Sequence, residues 1–270
     1  MDSYIINNQK SQDYACEGNS ITNYSNEPFQ YRATFDGFGT NTIIDYIRSL
    51  DMNIIFSYKY PWEIIISLID LNISYKHQFK SGASFALIRI FKNRIETINI
   101  GNSRIMIIKN GMIDYFSNKH NFDNILEKIR LNNKFNKFIV EDKIFRLVNV
   151  EELASISARK ILINNNYLDV TQFLGYNGIS GYKPDIYINE FKYKDKIVAI
   201  TATDGFWDVI LPFHDLDFLI YLNARRLANL SNYRWYQPWL LKKKINGINQ
   251  LLDCKINYPD DIAISIWKNC

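Results

Sequence analysis

An α+β fold is predicted for this chain by the order of its periodic segments. Strand-like segments, in which apolar residues alternate or run together between turn signals, recur in groups between residues 29 and 267. Helix-like segments lie between these groups rather than after every strand, which favours α+β over a strictly alternating α/β arrangement. Two antiparallel sheets packed face to face and covered by helices would fit, although the pattern alone does not fix this topology.

The predicted strands are rich in apolar, β-branched and aromatic residues. They cover residues 29–35, 84–91, 94–100, 104–109, 185–191, 196–202 and 262–267. Asn93 and the pair Gly101-Asn102 separate three of these segments, which predicts successive antiparallel strands joined by tight turns. Asp36-Gly37 is a turn signal at the end of the first segment.

Four segments have helical spacing. The first runs from a cap at Thr40 to about residue 56, and the second follows Pro61, which suits the first turn of a helix. The apolar face of this second helix is predicted to contain Trp62, Ile65, Ile66 and Ile69. The remaining two cover residues 151–163 and 215–227.

The composition is that of a globular, mildly basic protein. The 270 residues are 47% hydrophobic and 22% charged, which excludes an intrinsically disordered chain. Because no linker or composition shift divides the chain, one domain over residues 1–270 is predicted. The net charge of +4 suits a phosphorylated substrate but is too small to indicate a nucleic-acid partner. We expect a monomer.

Cysteine usage and hydropathy predict the cellular setting. Cys16, Cys254 and Cys270 are odd in number and share no short spacing, so neither a disulfide framework nor a zinc site is indicated. The first ten residues lack the pattern of a signal peptide. No apolar run reaches the ~18–20 residues of a membrane span. We therefore expect a soluble, intracellular (cytoplasmic) protein without membrane contact.

Acidic residues recur where predicted strands begin or end. Asp13 precedes a strand-like segment, Asp36 and Asp204 each follow one and precede a glycine, and Asp260 and Asp261 precede the last. Hard divalent ions such as Mg²⁺ and Mn²⁺ prefer such carboxylates, together with carbonyls and water. The alternative is that Asp-Gly is simply a common turn dipeptide, and on spacing alone that alternative is favoured.

Seven motifs, taken in their order along the chain, favour the metal site over the turn alternative. They are Phe35-Asp36-Gly37-Phe38-Gly39, Ser81-Gly82-Ala83-Ser84-Phe85-Ala86, Asn99-Ile100-Gly101-Asn102-Ser103-Arg104, Ser117 to His120, Phe173-Leu174-Gly175 followed by Lys183-Pro184, Thr203-Asp204-Gly205-Phe206-Trp207-Asp208-Val209, and Asp260-Asp261-Ile262-Ala263. Together they resemble the motifs of protein phosphatase 2C, the metal-dependent serine/threonine protein phosphatases. The resemblance spans residues 12–267 and is strongest around Trp207.

This resemblance implies a fold, a cofactor and a reaction. The implied fold is a sandwich of two antiparallel sheets with helices on both sides. The implied cofactors are two Mg²⁺ or Mn²⁺ ions, which activate a water that attacks the phosphorus of phosphoserine or phosphothreonine in a protein substrate. The positions that match the family's metal ligands are Asp13, Asp36, Asp204, Asp260 and the backbone carbonyl of Gly37.

Several positions depart from the family motifs. Phe38 replaces the histidine implied to protonate the leaving group, and a phenyl ring cannot transfer a proton. Asn102 replaces an aspartate associated with a third, weaker metal, and Tyr176 replaces another aspartate. Asn8 aligns with a phosphate-binding arginine, for which nearby Lys10 is a candidate substitute as a point charge.

These departures leave two interpretations open. In the first, the chain is a slow or altered phosphatase with no catalytic residue beyond the metal-activated water, and the retained aspartates favour this. In the second, it is a catalytically inactive pseudophosphatase that binds a protein partner as a regulatory module.

Other candidate residues have simpler explanations. Trp207 and His120 are predicted to be structural, and His77 and His214 to be ordinary histidines rather than ligands. Ser81 and Ser103 lack triad partners in the sequence, which argues against serine-hydrolase chemistry. The basic run at residues 242–244 is predicted to be a solvated helix face. The aromatic segment 231–239 is predicted to be a packed insertion, with an exposed interaction surface as the alternative.

Overall fold

A computed structural model describes the chain apart from residues 1, 9, 70–80, 122–123, 132–137, 141–142, 149–150, 157–158, 164–165, 169, 176–180, 246–247, 258 and 270. Tyr176 and His77 lie outside the described residues. The strands, in chain order, are β1 Ser3–Ile6, β2 Asp13–Ile21, β3 Pro28–Gly39, β4 Ser81–Ile90, β5 Arg94–Ile100, β6 Arg104–Lys109, β7 Met112–Phe116, β8 Phe138–Val140, β9 Lys143–Val148, β10 Glu151–Ile156, β11 Arg159–Ile163, β12 Asn166–Leu168, β13 Leu174–Gly175, β14 Asp185–Glu190, β15 Ile197–Ala202, β16 Trp239–Ile245, β17 Ile248–Cys254 and β18 Ile262–Lys268. The helices are α1 Thr42–Arg48, α2 Met52–Ile55, α3 Pro61–Ile69, α4 Ile125–Leu131, α5 Asp204–Trp207, α6 Leu216–Tyr221 and α7 Ala224–Trp235.

Two large antiparallel sheets form the centre of the fold. One has the strand order β1-β18-β15-β6-β7, and the other has the order β14-β5-β4-β3-β2. Smaller sheets with the orders β10-β9-β16-β17 and β12-β11-β8 accompany them. The predicted α+β class is confirmed, but no sequence signal predicted the two smaller sheets. That residues 1–270 form one domain stays a prediction.

The two large sheets pack against each other and against helices. Strand β4 is buried along its whole length, so both of its faces need cover. Because side chains alternate along a strand, Ala86 and Ile88 join the core between the sheets, while Phe85 and Leu87 join the core beneath α1, α2 and α3. Helices α5, α6 and α7 contribute to a third core on the opposite side. The layers therefore run helix, sheet, sheet, helix.

Three predicted elements are wrong in type or in extent. Residues 151–163 form strands β10 and β11 instead of a helix, and the basic run at 242–244 lies in strand β16. Asp36-Gly37 continues β3 without a turn. In each case pairing with other strands overrides a local propensity, since β10 and β16 both pair with β9 and β3 pairs with both β2 and β4.

The prediction that residues 94–100 and 104–109 form neighbouring antiparallel strands is also wrong. Strands β5 and β6 lie in different large sheets, so the Gly101-Asn102 turn connects the two sheets.

Two predicted long helices are divided. The 40–56 segment forms α1 and α2, and the second of these is capped by Asp51, whose side chain accepts a hydrogen bond from the Asn53 N–H. Thr40 is not the cap, because Asn41 occupies that position. The 215–227 segment divides into α6 and α7, where the Asn223 side chain caps α7.

Two further predictions concern packing. Helix α3 starts at Pro61 as predicted, but it buries Ile64, Ile65 and Leu68, whereas Trp62 and Ile66 are exposed. In the aromatic segment Trp235 and Trp239 are buried and their rings stack 5.1 Å apart, as a packed insertion predicts, whereas Tyr233 and Tyr236 are exposed. Among the described residues, no helix has the length and apolar character needed to cross a membrane.

The turn that connects β5 of one sheet to β6 of the other depends on Gly101. Its φ of +99° is in the left-handed region, and a Cβ there would lie 2.3 Å from Ser84 Oγ and 2.8 Å from Ser84 Cα. Gly111, in the hairpin between β6 and β7, also has a positive φ of +81°, but a Cβ there would meet nothing within 4 Å.

Gly101→Ala is expected to destabilise the protein by about 2–5 kcal/mol, because backbone strain adds to overlap with buried Ser84. Gly111→Ala, the matched control, is expected to cost about 1–2 kcal/mol from strain alone. Urea denaturation measures both free energies of unfolding. Equal losses for the two variants would contradict the close packing at Gly101.

Candidate metal centre

Strand register brings the predicted metal ligands to one end of the sandwich. Asp13 is the register partner of Asp36 across β2 and β3, and Asp36 is the partner of Ser84 across β3 and β4. Directly opposed residues of antiparallel strands point to the same face, so these three side chains form a row. Gly37 lies beside this row and its N–H donates to the Gln12 carbonyl at 3.1 Å.

The other two predicted ligands approach the row from the second sheet. Asp204 is the first residue of α5, directly after β15, and Asp260 lies just before β18. The two segments touch, because a Cβ on Gly205 would lie 2.0 Å from the Asp261 carbonyl oxygen. A side chain at that position would therefore push Asp204 away from Asp260.

Asp13 is the most deeply buried acid of the site. It is 3% exposed, and within the described part of the chain its Oδ2 atom accepts no hydrogen bond. Burial, followed by the charges of Asp260 and Asp261, holds the pKa of Asp13 well above its usual range, although bonds from Thr203 and Ala263 partly offset this rise. An unpartnered buried carboxylate oxygen is costly unless a proton or a cation meets it.

Asp260 is an exposed residue, but its carboxylate lies among other acidic groups. Burial of the group and the charges of Asp208 and Asp261 raise its pKa to about 6, against the opposing effect of Lys10. Lys10 is exposed and therefore lies at the open side of the acidic cluster. Both pKa values are raised first by burial and further by the charges of neighbouring carboxylates.

Asp261 holds the N-terminal segment in place, a role that its motif did not predict. Its Oδ1 atom accepts the Asn8 N–H at 2.7 Å and its Oδ2 atom accepts the Gln12 N–H at 3.1 Å. The Asn8 side chain, at the position of the family's phosphate-binding arginine, donates to the Asp260 carbonyl at 2.6 Å. The Asn8 side chain therefore bonds to the backbone next to the acidic residues of the site.

Asp204 is engaged by the protein's own donors. Asn102 Nδ2 donates to Asp204 Oδ2 at 2.5 Å, and Ser84 Oγ donates to Asn102 Oδ1 at 2.5 Å. Lys119 forms a hydrogen-bonded ion pair with Asp208, the residue whose N–H donates to the Asp204 carbonyl at 2.7 Å. Burial lowers the pKa of Lys119, but the charges of Asp208 and Asp204 outweigh it and the pKa is raised.

Lys119 is the site residue that sequence reasoning missed. It lies directly before His120 in the stretch from Ser117 to His120, where the family motif that this stretch resembles has an aspartate. The replacement of that acid by a base was the signal that could have identified it. His120 is structural as predicted, since its Nδ1 atom accepts the Gly101 N–H at 3.0 Å.

Two aromatic residues of the motifs, Phe38 and Trp207, make structural contacts. Phe38 packs edge-on against Phe173, with ring centroids 5.1 Å apart, so its ring fills apolar space and offers no proton. Trp207 is 5% exposed and its Nε1 atom donates to the Arg104 carbonyl at 3.1 Å, in agreement with a structural role.

The donor set fits a divalent ion on the Asp13 side. Asp13 and Asp260 have raised pKa values, Asp36 lies beside them, and Asp13 Oδ2 lacks a partner among the described residues. Within the same part of the chain, no three acidic, cysteine or histidine side chains already converge as a metal-binding group. On the Asp204 side the fit is poorer, because Asn102 and Lys119 occupy the carboxylates there.

Residues 66–219, more than half of the chain, match the family model for Protein phosphatase 2C. The chain belongs to the protein phosphatase 2C family. The predicted family is therefore confirmed, and with it a relationship to metal-dependent serine/threonine phosphatases, whose substrates are phosphoproteins. Curated proteins give no match to this protein phosphatase 2C chain.

Solved structures share the fold of this protein phosphatase 2C chain. A serine/threonine phosphatase of Staphylococcus aureus is 14% identical with a TM-score of 0.55, covering 98% of this chain and 92% of its own. One of S. agalactiae is 15% identical with a TM-score of 0.56, covering 98% and 97%. A C. elegans sex determining protein is 14% identical with a TM-score of 0.59, covering 99% and 64%. At these identities the likeness shows the fold alone.

The metal-free protein is expected to lose stability as pH rises from about 4 through about 6. The folded-state pKa values of Asp13 and Asp260 lie above the ordinary value of 3.8, so the folded state binds more protons than the unfolded state in this window. Their contribution is complete below pH 3.8 and is lost as pH rises through the folded pKa values. Thermal melting in chelator at each pH measures it.

Asp13→Asn is expected to flatten this decline in Tm because it removes the most buried of the acids. Asp195→Asn is the matched control, since hydrogen bonds from the Lys192 N–H and Asn110 lower the pKa of half-buried Asp195 to about 2. That control is expected to keep the decline. A decline equally steep in Asp13→Asn and in the unmodified chain would contradict the assignment.

Proposed function

We propose that this chain is a metal-dependent protein serine/threonine phosphatase of low activity. Asp13, Asp36, Asp260 and the Gly37 carbonyl would hold the divalent ion or ions, with Asp204 at the far side of the site. The observation that carries the proposal is the buried Asp13 carboxylate, which has an unpartnered oxygen among the described residues and lies next to Asp36 and near Asp260.

A bound Mg²⁺ or Mn²⁺ would lower the pKa of a water and stabilise charge on the phosphoryl oxygens. The chain's own residues supply position and charge around that ion. The absence of a side chain at Gly37 lets the backbone of β3 lie close to Gln12, because a Cβ on Gly37 would lie 2.7 Å from the Gln12 carbonyl oxygen. Lys10, exposed beside Asp260, is the candidate to attract the phosphoryl group of the substrate.

Low activity follows from the side chain at position 38. Phe38 is the residue next to Gly37 and packs on Phe173, so it cannot protonate a leaving serine or threonine oxygen. General acid catalysis typically contributes about 10²–10⁴-fold. Without it, the proton for the leaving group must come from solvent.

The second candidate function is a catalytically inactive binding module of the same fold. It is favoured by the 2.5 Å hydrogen bond from Asn102 to Asp204, which ties up an oxygen that a second metal would need. Under this alternative the site serves to hold a phosphorylated protein partner without turnover.

Phosphate release from a generic aryl phosphate separates the two candidates. Turnover is expected only with millimolar Mn²⁺, and Asp36→Asn or Asp204→Asn is expected to reduce it by about 100-fold or more, since each removes a charged group that contacts the site. Asp195→Asn, which changes a half-buried acid bonded to the Lys192 N–H and the Asn110 side chain, is the control that keeps turnover.

Turnover that is independent of metal would contradict the proposal. Turnover in the unmodified chain no higher than in Asp36→Asn would favour the inactive module, and binding to phosphoproteins would then be the next measurement.

Phe38→His is expected to raise kcat by about 10-fold or more, because an imidazole at this position can supply the missing proton. Phe38→Leu, which keeps an apolar side chain, is the control and is expected to give no gain. Steady-state kinetics from pH 6 to 9 should show a new alkaline limb only in Phe38→His. No gain in that variant would mean that position 38 does not reach the leaving group.

A further inference from the structure

Positive charge is concentrated on one side of the candidate metal centre. Lys119 pairs with Asp208, and the Arg104 guanidinium lies near enough to Asp208 to interact with its charge. Asp204 adds a second acid beside Lys119. Two acids and two bases therefore meet on the Asp204 side, so that their charges balance.

The opposite side of the same centre has no such balance. Asp13, Asp260 and Asp261 interact with one another as charges, and the exposed Lys10 is the base that acts on Asp260. Asp36 adds a further acid in register with Asp13. The need for an external cation is thus greatest on the Asp13 side, where the charge of Asp208 also acts on Asp260.

Lys119 is held in position by a rigid frame. The Ser117 N–H donates to the Ile105 carbonyl at 2.9 Å, and the Ile105 N–H donates to Ser117 Oγ at 2.9 Å. One residue after Lys119, the His120 N–H donates to the Gly101 carbonyl at 2.8 Å. The segment is therefore fixed on both sides of Lys119, to β6 before it and to the β5–β6 connection after it.

The same β5–β6 connection also presents Asn102 to Asp204. Asn102 is 7% exposed, and its N–H donates to Ser84 Oγ at 3.2 Å while its side-chain nitrogen donates to Asp204. A neutral donor and a fixed ammonium thus surround the carboxylates on which a second divalent ion would depend.

We infer that Lys119 is a built-in cation of this site, which takes the place of a divalent ion on the Asp204 side. The chain then binds one divalent ion, beside Asp13, Asp36 and Asp260, instead of two. This inference rests on the proposed function, since it concerns the metal content of the same site.

The competing explanation is that the Lys119–Asp208 pair only stabilises the end of α5. Under that explanation, removal of the ammonium would lower stability without changing the number of ions bound. The count of bound ions therefore separates the two explanations.

The test is titration of the full chain with Mn²⁺, followed by calorimetry and by the electron paramagnetic resonance signal of free Mn²⁺. The unmodified chain is expected to bind one ion. Lys119→Met, which keeps the apolar stem but removes the charge, is expected to bind a second ion or to bind Mn²⁺ at least ~10-fold more tightly. Lys119→Gln is a second neutral variant in case the first does not fold.

Two controls keep the comparison specific. Lys119→Arg retains the charge and is expected to keep one ion. Lys109→Met removes an equal charge from a lysine that lies 3.3 Å from Asp195, away from the site, and is also expected to leave binding unchanged. Circular dichroism melting confirms that each variant is folded.

Each outcome decides between the inference and the proposed function. One ion bound with unchanged affinity in all variants would overturn the inference and leave the proposed function standing, as would two ions in the unmodified chain. No ion in the unmodified chain but one in Lys119→Met would overturn both the proposed function and the inferred count of one ion. No ion in any variant would overturn both.

Discussion

The candidate site depends on a packing constraint that applies to every central strand. Strands such as β4 are buried on both faces, by the other sheet on one side and by α1–α3 on the other. A slip of one residue would exchange the two faces, so the register is strongly determined. That register sets Asp13 opposite Asp36 and Asp36 opposite Ser84. The acidic row thus follows from the apolar core beneath it.

The sequence predicted the central sheets well because their strands carry strong local signals. Segments such as Arg94–Ile100 and Arg104–Lys109 combine β-branched residues with clear turns, and the structure has them with the predicted bounds. The segment 151–163 has no comparable signal, and its strand pairing with β9 depends on partners that local periodicity cannot detect. Single helices predicted over 40–56 and 215–227 were divided by caps at Asp51 and Asn223 that the periodicity concealed.

The site was predictable to the extent that its residues stand in motifs. The structure brings Asp13, Asp36, Asp204 and Asp260 to one end of the sandwich, while their role as metal ligands stays a prediction. Motif matching could not predict which of the site residues contact each other or other segments. Asp261 accepting two backbone N–H groups and Lys119 meeting Asp208 are contacts between segments far apart in sequence. Only the folded structure shows that basic groups balance the acidic charges more fully on the Asp204 side of the site than on the Asp13 side.

The hydrogen bonds of Asp261 have a consequence for the order in which the molecule can be built. They join Asn8 to a residue 253 positions later, and β1 pairs with β18 across a similar distance. A chain emerging from the ribosome therefore holds Asp13 long before it contains Asp260. Contacts of such long range form late in folding. The acidic cluster is consequently assembled only after the last strand has been synthesised and has docked, so a half-made chain lacks the complete set of carboxylates.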